Sequence, residues 1–287
     1  TMPLPLVNIL SGGLHTGAGA GAAPQLDVQD FLVAPVGARA YSQALEWAAG
    51  VHGAMRALLA ERGFALTGVA DEGGFAPPLA SNRTGLELMV EAISRAGLRP
   101  GAEAAIALDL AATHFYRDAR YELAAERRTL DSAAMVEMLA DWHACFPIVS
   151  IEDGLAEDDW AGWQALTARL GARCQLVGDD LFTTHPERVK RGIRDGAANA
   201  VLVKMNQIGT LTETLQVVAQ ARAAGYRPVI SARSGETEDD SLADLAVGSG
   251  AGQIKIGSVT RSERLAKYNR LLRIEEELCH PALAVIF

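Results

Sequence analysis

The stretch that decides the fold is residues 147–180, which read PIVSIEDGLAEDDWAGWQALTARLGARCQLVGDD. A short apolar run at 147–152 precedes an amphipathic segment at 158–170, and a second apolar run follows at 175–179. Apolar residues spaced three and four apart indicate a helix, whereas short runs rich in Val, Ile and Leu indicate buried strands. The stretch therefore predicts a strand–helix–strand unit whose two strands are parallel.

The same alternation continues along the chain from about residue 100. Runs that predict strands lie at 104–110, 147–152, 175–179, 200–204, 228–233 and 252–257. Helical patterns lie at 130–145, 158–170, 211–224 and 262–279. The earlier part of the chain predicts a strand at 26–33, a helix at 40–62 and a helix at 85–96. We expect an α/β fold, a TIM-type barrel in which residues 1–287 form one domain.

Composition narrows the class of protein. The 287 residues are 49% hydrophobic and 21% charged, which is typical of a soluble globular domain. The net charge is −9 and Lys and Arg are scattered, so the sequence shows no basic patch of the kind that binds nucleic acid. Three widely spaced cysteines without a CxxC pair argue against a disulfide framework or a zinc site, and favour the reducing cytoplasm. No run approaches the ~20 apolar residues of a membrane helix, so we expect no membrane partner.

A glycine-rich run, GGLHTGAGAG, covers residues 12–21. It superficially resembles a dinucleotide-binding loop, but such a loop leaves a strand and opens a helix. Here Pro24 and a strand-like stretch follow instead. A mobile surface loop is the preferred interpretation.

Charged side chains mark the ends of the six predicted strands from residue 100 onward. They are Asp109, Glu152, Asp179, Lys204, Arg233 and Lys255. One such residue would fit a helix cap or a core-flanking charge. Six charges that converge on one mouth of a barrel would be costly without ligands or counterions. Because barrel enzymes carry their catalytic groups at this end, the pattern predicts an active site there.

The chemistry of these groups indicates a metal-assisted reaction. Asp109, Glu152 and Asp179 offer only oxygen ligands, which suit Mg²⁺ better than Ca²⁺ or Zn²⁺. A lysine near a metal can act as a general base, and Arg233 followed by Ser234 can bind a phosphate. Together these groups suit removal of a proton next to a carboxylate, with metal and cations stabilising the intermediate.

Seven motifs in order resemble the enolases, the phosphopyruvate hydratases, over essentially the whole chain. They are DEGGFAP at 71–77, SIED at 150–153, VGDDL at 177–181, KMNQIG at 204–209, RSGETED at 233–239, GQIK at 252–255 and RSERLAKYN at 261–269. The resemblance implies a barrel with a ββαα start and dehydration of 2-phosphoglycerate to phosphoenolpyruvate. It also implies two Mg²⁺ ions, the second arriving with the substrate, and a homodimer.

The resemblance also implies residue roles. Asp109, Glu152 and Asp179 would hold the first ion, Lys204 would remove the C2 proton, and Glu72 would protonate the departing hydroxyl. Substrate would contact Lys255, Arg233 and Ser234, together with His15, Gln29 and Asp30 from the early part of the chain.

Four features depart from the family pattern. Asp30 stands where enolases have Glu, and Ala232 stands where they have His before the arginine. His114 replaces a usual Glu, which we interpret either as a change in a residue that supports the site from behind or as a structural change. The smaller amino-terminal α+β domain that enolases place before the barrel is absent from these 287 residues, and the opening at Thr1 favours truncation.

The departures leave three functions open. The chain could dehydrate 2-phosphoglycerate, or it could dehydrate a phosphonate or carboxyphosphonate analogue, since Ala232 leaves space beside the substrate. A third hypothesis is a non-catalytic binding protein without the lid domain. Lys204 and Glu72 argue against the third, because a binding protein needs neither a base nor an acid.

Overall fold

The computed structural model of the protein describes residues 1–16, 26–66, 68–279 and 281–287. Its strands are β1 (Leu4–Ser11), β2 (Asp30–Ala34), β3 (Ala105–Asp109), β4 (Tyr116–Arg117), β5 (Arg120–Leu123), β6 (Arg128–Leu130), β7 (Ile148–Glu152), β8 (Gln175–Gly178), β9 (Ala200–Val203), β10 (Arg227–Ser231) and β11 (Gln253–Gly257).

Helices follow or separate these strands. They are α1 (Tyr41–Glu61), α2 (Asn82–Arg95), α3 (Ser132–Cys145), α4 (Trp160–Leu170), α5 (Pro186–Asp195), α6 (Met205–Ile208), α7 (Leu211–Ala223), α8 (Ser241–Gly248) and α9 (Ser262–Glu277). No helix of the described residues is long and apolar enough to span a membrane.

Eight strands close into a barrel in the order β1-β11-β10-β9-β8-β7-β3-β2. β2 runs antiparallel to both of its neighbours, while the other barrel pairs are parallel. The chain thus begins β1, β2, α1, α2 and then alternates strand and helix. The expected TIM-type barrel with a ββαα start is confirmed.

Two hydrophobic clusters build the barrel. A small cluster draws only on strand residues such as Leu6, Val177 and Leu202, and fills the interior. A much larger cluster joins the opposite strand faces to the helices. Since side chains alternate between the two faces of a strand, the interior cluster leaves room at the carboxyl ends for polar side chains.

Two strand predictions need correction. β1 was not predicted as a strand, because all eight of its residues are buried and the sequence therefore shows no alternation of apolar and polar residues. The strand expected at 26–33 begins at Asp30 instead. The main-chain N–H groups of Asp27 and Val28 donate to the side chain of Asn82, so they are not available to a neighbouring strand.

Other elements lie outside the sequence predictions. The strands β4, β5 and β6 form a separate three-stranded sheet after β3, and each has only two to four residues. Of the glycine-rich run, the first residues are described and form a 3-10 turn at Gly13–Thr16. The surface-loop interpretation of residues 17–21 lies outside the described residues.

Candidate active site

Lys255 is the centre of a buried ion-pair group at the carboxyl end of the barrel. It lies within β11, and its Nζ atom lies 2.7 Å from Oδ2 of Asp109 and 2.7 Å from Oε1 of Glu152. Asp109 ends β3 and Glu152 ends β7, which are adjacent strands. The two carboxylates are 3% exposed, so they face each other and the lysine away from solvent.

A second ion pair joins the next two strands. Asp179 directly follows β8, Lys204 directly follows β9, and Lys204 Nζ lies 2.6 Å from Asp179 Oδ2. Asp179 also has carboxylate neighbours, because oxygen atoms of Asp153, Asp179 and Asp180 all lie within 4.8 Å of one another.

Asp153 shapes the backbone at this point. It follows Glu152 with a φ of 41°, in the left-handed region that non-glycine residues rarely adopt. Its carboxylate accepts hydrogen bonds from the main-chain N–H groups of Asp179, at 3.0 Å, and Asp180, at 2.7 Å. Such strain persists only where the surroundings enforce it, and here it turns the end of β7 towards the end of β8.

The buried carboxylates are not neutralised by the two lysines. Asp109, Glu152, Asp153 and Asp179 are at most 8% exposed, and the pKa values of several acids in this group are shifted. Burial raises the pKa of Asp109, but the Lys255 ammonium outweighs it and lowers that pKa to about 2. Burial and the Asp109 charge raise the pKa of Glu152 well above its usual value. The group therefore suits an additional cation.

The two aspartates that follow the strand-end acids behave like Glu152. Burial and the charge of Asp179 raise the pKa of Asp153 well above its usual value. The same two causes raise the pKa of Asp180 to about 6. Both residues were missed as site residues, although the doubled acids Glu152–Asp153 and Asp179–Asp180 are visible in the sequence.

A third group lies beside β1 and contains Glu72. Atoms of His15, Asp30 and Glu72 lie within 4.8 Å of one another, and His15 Nδ1 lies 2.9 Å from Asp30 Oδ2. Asp30 also accepts hydrogen bonds from Asn8 at 2.5 Å and Ser11 at 2.9 Å. The shorter side chain at position 30 is therefore fully engaged, and Asn8 and Ser11 are partners that the sequence interpretation missed.

Glu72 lies in a turn, where an exposed carboxylate is the ordinary expectation, yet it is 6% exposed. Burial, followed by the charge of Asp30, raises the pKa of Glu72. For His15, burial lowers the pKa but Asp30 more than compensates, so that it rises to about 9. The turn thus holds a carboxyl group that is protonated more readily than an exposed Glu, beside a protonated imidazole.

These groups surround one cavity of about 280 Å³. Its wall contains Glu72, His15, Gln29, Asp109, Asp179, Lys204, Arg233, Ser234 and Lys255, all of which were expected from the sequence. Glu152 and Asp30 are not among the described wall residues, but they contact Lys255 and His15, which are. Gln29 reaches Asp109 with an Nε2–Oδ2 distance of 3.3 Å.

The loop after β10 forms part of the rim. Ser231, Ala232, Arg233 and Ser234 line the cavity there, and Ala232 is 4% exposed, whereas Arg233 and Ser234 are exposed. His114 lines the cavity as well, whereas the sequence interpretation placed it behind the site or gave it a structural role. Arg233 at the rim, with lysines and carboxylates deeper in the cavity, suits a small anionic ligand held together with a metal.

Comparison with known proteins adds two findings. Residues 1–284 match the family described as "Enolase, C-terminal TIM barrel domain". The chain is also 55% identical over 277 residues to a protein named "Enolase" from Acidothermus cellulolyticus (strain ATCC 43068 / DSM 8971 / 11B). The alignment covers 96% of this chain and 62% of that relative, so the chain spans about three-fifths of its length.

Proposed function

Because the chain belongs to the enolase family, we propose that it is a hydro-lyase that converts 2-phosphoglycerate to phosphoenolpyruvate and water. The observation that carries this proposal is the placement of a candidate base and a candidate acid on one cavity. Lys204 follows β9, whereas the segment with Glu72 pairs with β1. Going the shorter way around the barrel, two strands, β10 and β11, lie between β9 and β1. A substrate in the cavity can therefore lie between them.

The carboxylate group fits the divalent cations that the family implies. Its acids outnumber the two lysines. Burial and mutual repulsion raise the pKa values of Glu152 and Asp153, and a bound cation would offset that repulsion. Asp109, Glu152 and Asp179 would hold the first Mg²⁺, and a second would arrive with the substrate. When bound, the ions supply positive charge that stabilises the additional negative charge next to the substrate carboxylate.

Lys204 would accept the proton from C2. In the present arrangement its ammonium is paired with Asp179, and although burial lowers its pKa, that carboxylate raises it further. A base must be unprotonated, so Lys204 must lose this partner before the transfer. Engagement of Asp179 as a metal ligand would have that effect.

Glu72 would donate a proton to the hydroxyl at C3. The C3–O bond then breaks, water leaves, and the C2–H electron pair forms the C2–C3 double bond. The raised pKa of Glu72, caused by burial and by Asp30, favours the protonated carboxyl that this step requires. Lys255 would bind the substrate carboxylate, Arg233 and Ser234 its phosphate, and His15 and Gln29 would line the space around it.

A direct assay tests the proposal. The protein in its full native length, mixed with 2-phosphoglycerate and Mg²⁺, should produce a rise in enol absorbance that disappears when the metal is chelated. A complete, folded protein that gives no signal would refute the proposal. We also propose that the active form is a homodimer, which sedimentation of the same preparation tests.

A second candidate substrate is favoured by one observation. The small side chain of Ala232 lies on the cavity wall beside Arg233, and it can neither donate a hydrogen bond nor carry charge. A phosphonate or carboxyphosphonate analogue could use the space. Turnover rates on 2-phosphoglycerate and on such an analogue, measured side by side, decide between the two substrates. If neither substrate turns over but both bind, the alternative of a non-catalytic binding protein is favoured.

A further inference from the structure

Arg264 on α9 is a fully buried cation that the proposed reaction does not use. Its contact with the neighbouring Glu263 is long, at 4.0 Å from Nε to Oε1. Its hydrogen bonds go instead to main-chain carbonyl groups. Burial of a guanidinium costs free energy of desolvation unless its N–H groups are hydrogen-bonded, so these carbonyls determine where the side chain is held.

The four carbonyls belong to three separate segments of the site. Nη1 donates to the oxygen of Arg233 at 2.7 Å and to that of Ile256 at 2.9 Å. Nη2 donates to the oxygen of Ser234 at 2.5 Å and approaches that of Asp71 at 3.5 Å. One planar side chain thus contacts the proposed phosphate-binding residues, the residue after Lys255 and the residue before Glu72.

Gly257 allows this close arrangement. Its φ is +122°, and a Cβ atom there would lie 2.8 Å from the carbonyl oxygen of Glu72 and 3.0 Å from Cδ of Arg264. The same Glu72 oxygen accepts a hydrogen bond from Ser258 N at 2.8 Å. The stem of Arg264 and the backbone of Glu72 therefore both lie close to position 257, which has no room for a side chain.

Lys267, one helical turn further along α9, provides a comparison. It is 1% exposed, donates to the carbonyl of Thr237 at 2.8 Å and lies 3.1 Å from Oε2 of Glu236. Its remaining hydrogen bond, to Glu263 O, is within the helix. Lys267 therefore holds the loop that contains Arg233 and Ser234, but within the described part of the chain it donates no hydrogen bond to the Glu72 turn.

We propose that Arg264 is a positioning residue that fixes Arg233, Ser234 and the Glu72 turn relative to one another. The proposal rests on the proposed function, which assigns phosphate binding to the first two residues and proton donation to Glu72. Lys267 positions only the phosphate-binding loop. The difference predicts that the two buried cations affect different kinetic constants.

The test compares Arg264→Lys, Lys267→Met and a control, Arg270→Lys, in the protein at its full native length. Arg270 is on the same helix but pairs with Asp244 and Glu277 on the surface. For Arg264→Lys we expect kcat for 2-phosphoglycerate to fall about 10- to 100-fold and KM to rise, since a shift near 1 Å has such effects. For Lys267→Met we expect KM to rise while kcat stays within about twofold, and for Arg270→Lys no change.

If kcat falls in Arg264→Lys and in Lys267→Met alike, and each loss follows the decrease in unfolding temperature, the role of Arg264 is merely structural and the proposal is overturned. Unchanged kcat and KM in folded Arg264→Lys would do the same. If Arg264→Lys does not fold, Gly257→Ala must lower kcat, because its Cβ would clash with both the Glu72 carbonyl oxygen and Cδ of Arg264. If the wild type does not turn over 2-phosphoglycerate, the proposed function is refuted, but the positioning role of Arg264 is still to be tested. Calorimetric binding of 2-phosphoglycerate must then weaken in Arg264→Lys and in Lys267→Met but not in Arg270→Lys, or the positioning role fails too.

Discussion

Lys204 Nζ lies 2.6 Å from Asp179 Oδ2, and both side chains are largely buried. The carboxylate keeps the candidate base protonated, since it raises the pKa of Lys204 despite the opposing effect of burial. The two proposed roles, base and metal ligand, are thus coupled through one contact. The contact also explains why the base would be inactive until Asp179 has another cation to bind.

Replacing the candidate base tests this coupling. Lys204→Ala should lower kcat for 2-phosphoglycerate by about 10²- to 10⁴-fold, because a positioned general base contributes that much. The rate is measured by enol absorbance at saturating Mg²⁺. Lys190→Ala is the matched control, since Lys190 pairs with Glu187 on the exposed surface and should leave kcat unchanged. Comparable rates in Lys204→Ala and the wild type would exclude Lys204 as the base.

Addition of Mg²⁺ should stabilise the protein. At a concentration 100 times the dissociation constant, binding to the folded state alone contributes about 2.7 kcal/mol, which is measured as a rise in unfolding temperature. Asp179→Asn should remove most of that rise. Asp195→Asn, which changes a half-buried surface carboxylate that pairs with Arg194 outside the cavity, should retain it. An equal Mg²⁺-dependent rise in both variants would argue against Asp179 as a ligand.

Restoring histidine at position 232 tests substrate choice. If 2-phosphoglycerate is the substrate, Ala232→His should raise kcat/KM by about tenfold, since a hydrogen bond to a charged group contributes roughly 1.5–3 kcal/mol. Ala232→Leu fills the same space without a donor and should lower kcat/KM. A histidine variant with no gain on 2-phosphoglycerate and a loss on a phosphonate analogue would instead support the second substrate.

The pair of His15 and Asp30 predicts a pH-dependent stability. The pKa of His15 rises from 6.5 to about 9 in the folded protein, so its contribution is complete below pH 6.5 and is lost as the pH rises through 9. The difference corresponds to about 3 kcal/mol at most.

Urea unfolding at several pH values between 6 and 9.5 measures this contribution. In His15→Gln the decline in unfolding free energy over that range should be smaller than in the wild type. His143→Gln on α3 serves as the control and should show the wild-type decline. Parallel curves for all three proteins would contradict the ion pair.

Much of the barrel follows from local pattern. β7, α4 and β8 lie close to the limits that their apolar periodicity predicts, because each has enough residues to show its period. β1 does not, since burial on both faces removes the alternation. The short strands β4 to β6 have too few residues for a period to be visible.

Some features of the candidate site could likewise be predicted from local pattern, and others could not. The charges at the ends of β3, β7, β8 and β9 were visible because a strand end can be located from its apolar run. The surroundings of Glu72 were not visible in this way, because Asp30, whose charge adds to burial in raising its pKa, and Ser258 and Arg264, which contact its turn, are distant in sequence.

The sequence alone thus determined the barrel, its family resemblance and the set of charged groups at one mouth, since these depend on residue type and spacing along the chain. Tertiary structure decided which of the groups pair. It placed Lys255 between Asp109 and Glu152, Lys204 on Asp179, and His15 on Asp30. The physical reason is that burial and the distance between charges set their pKa values, and both depend on how distant segments pack.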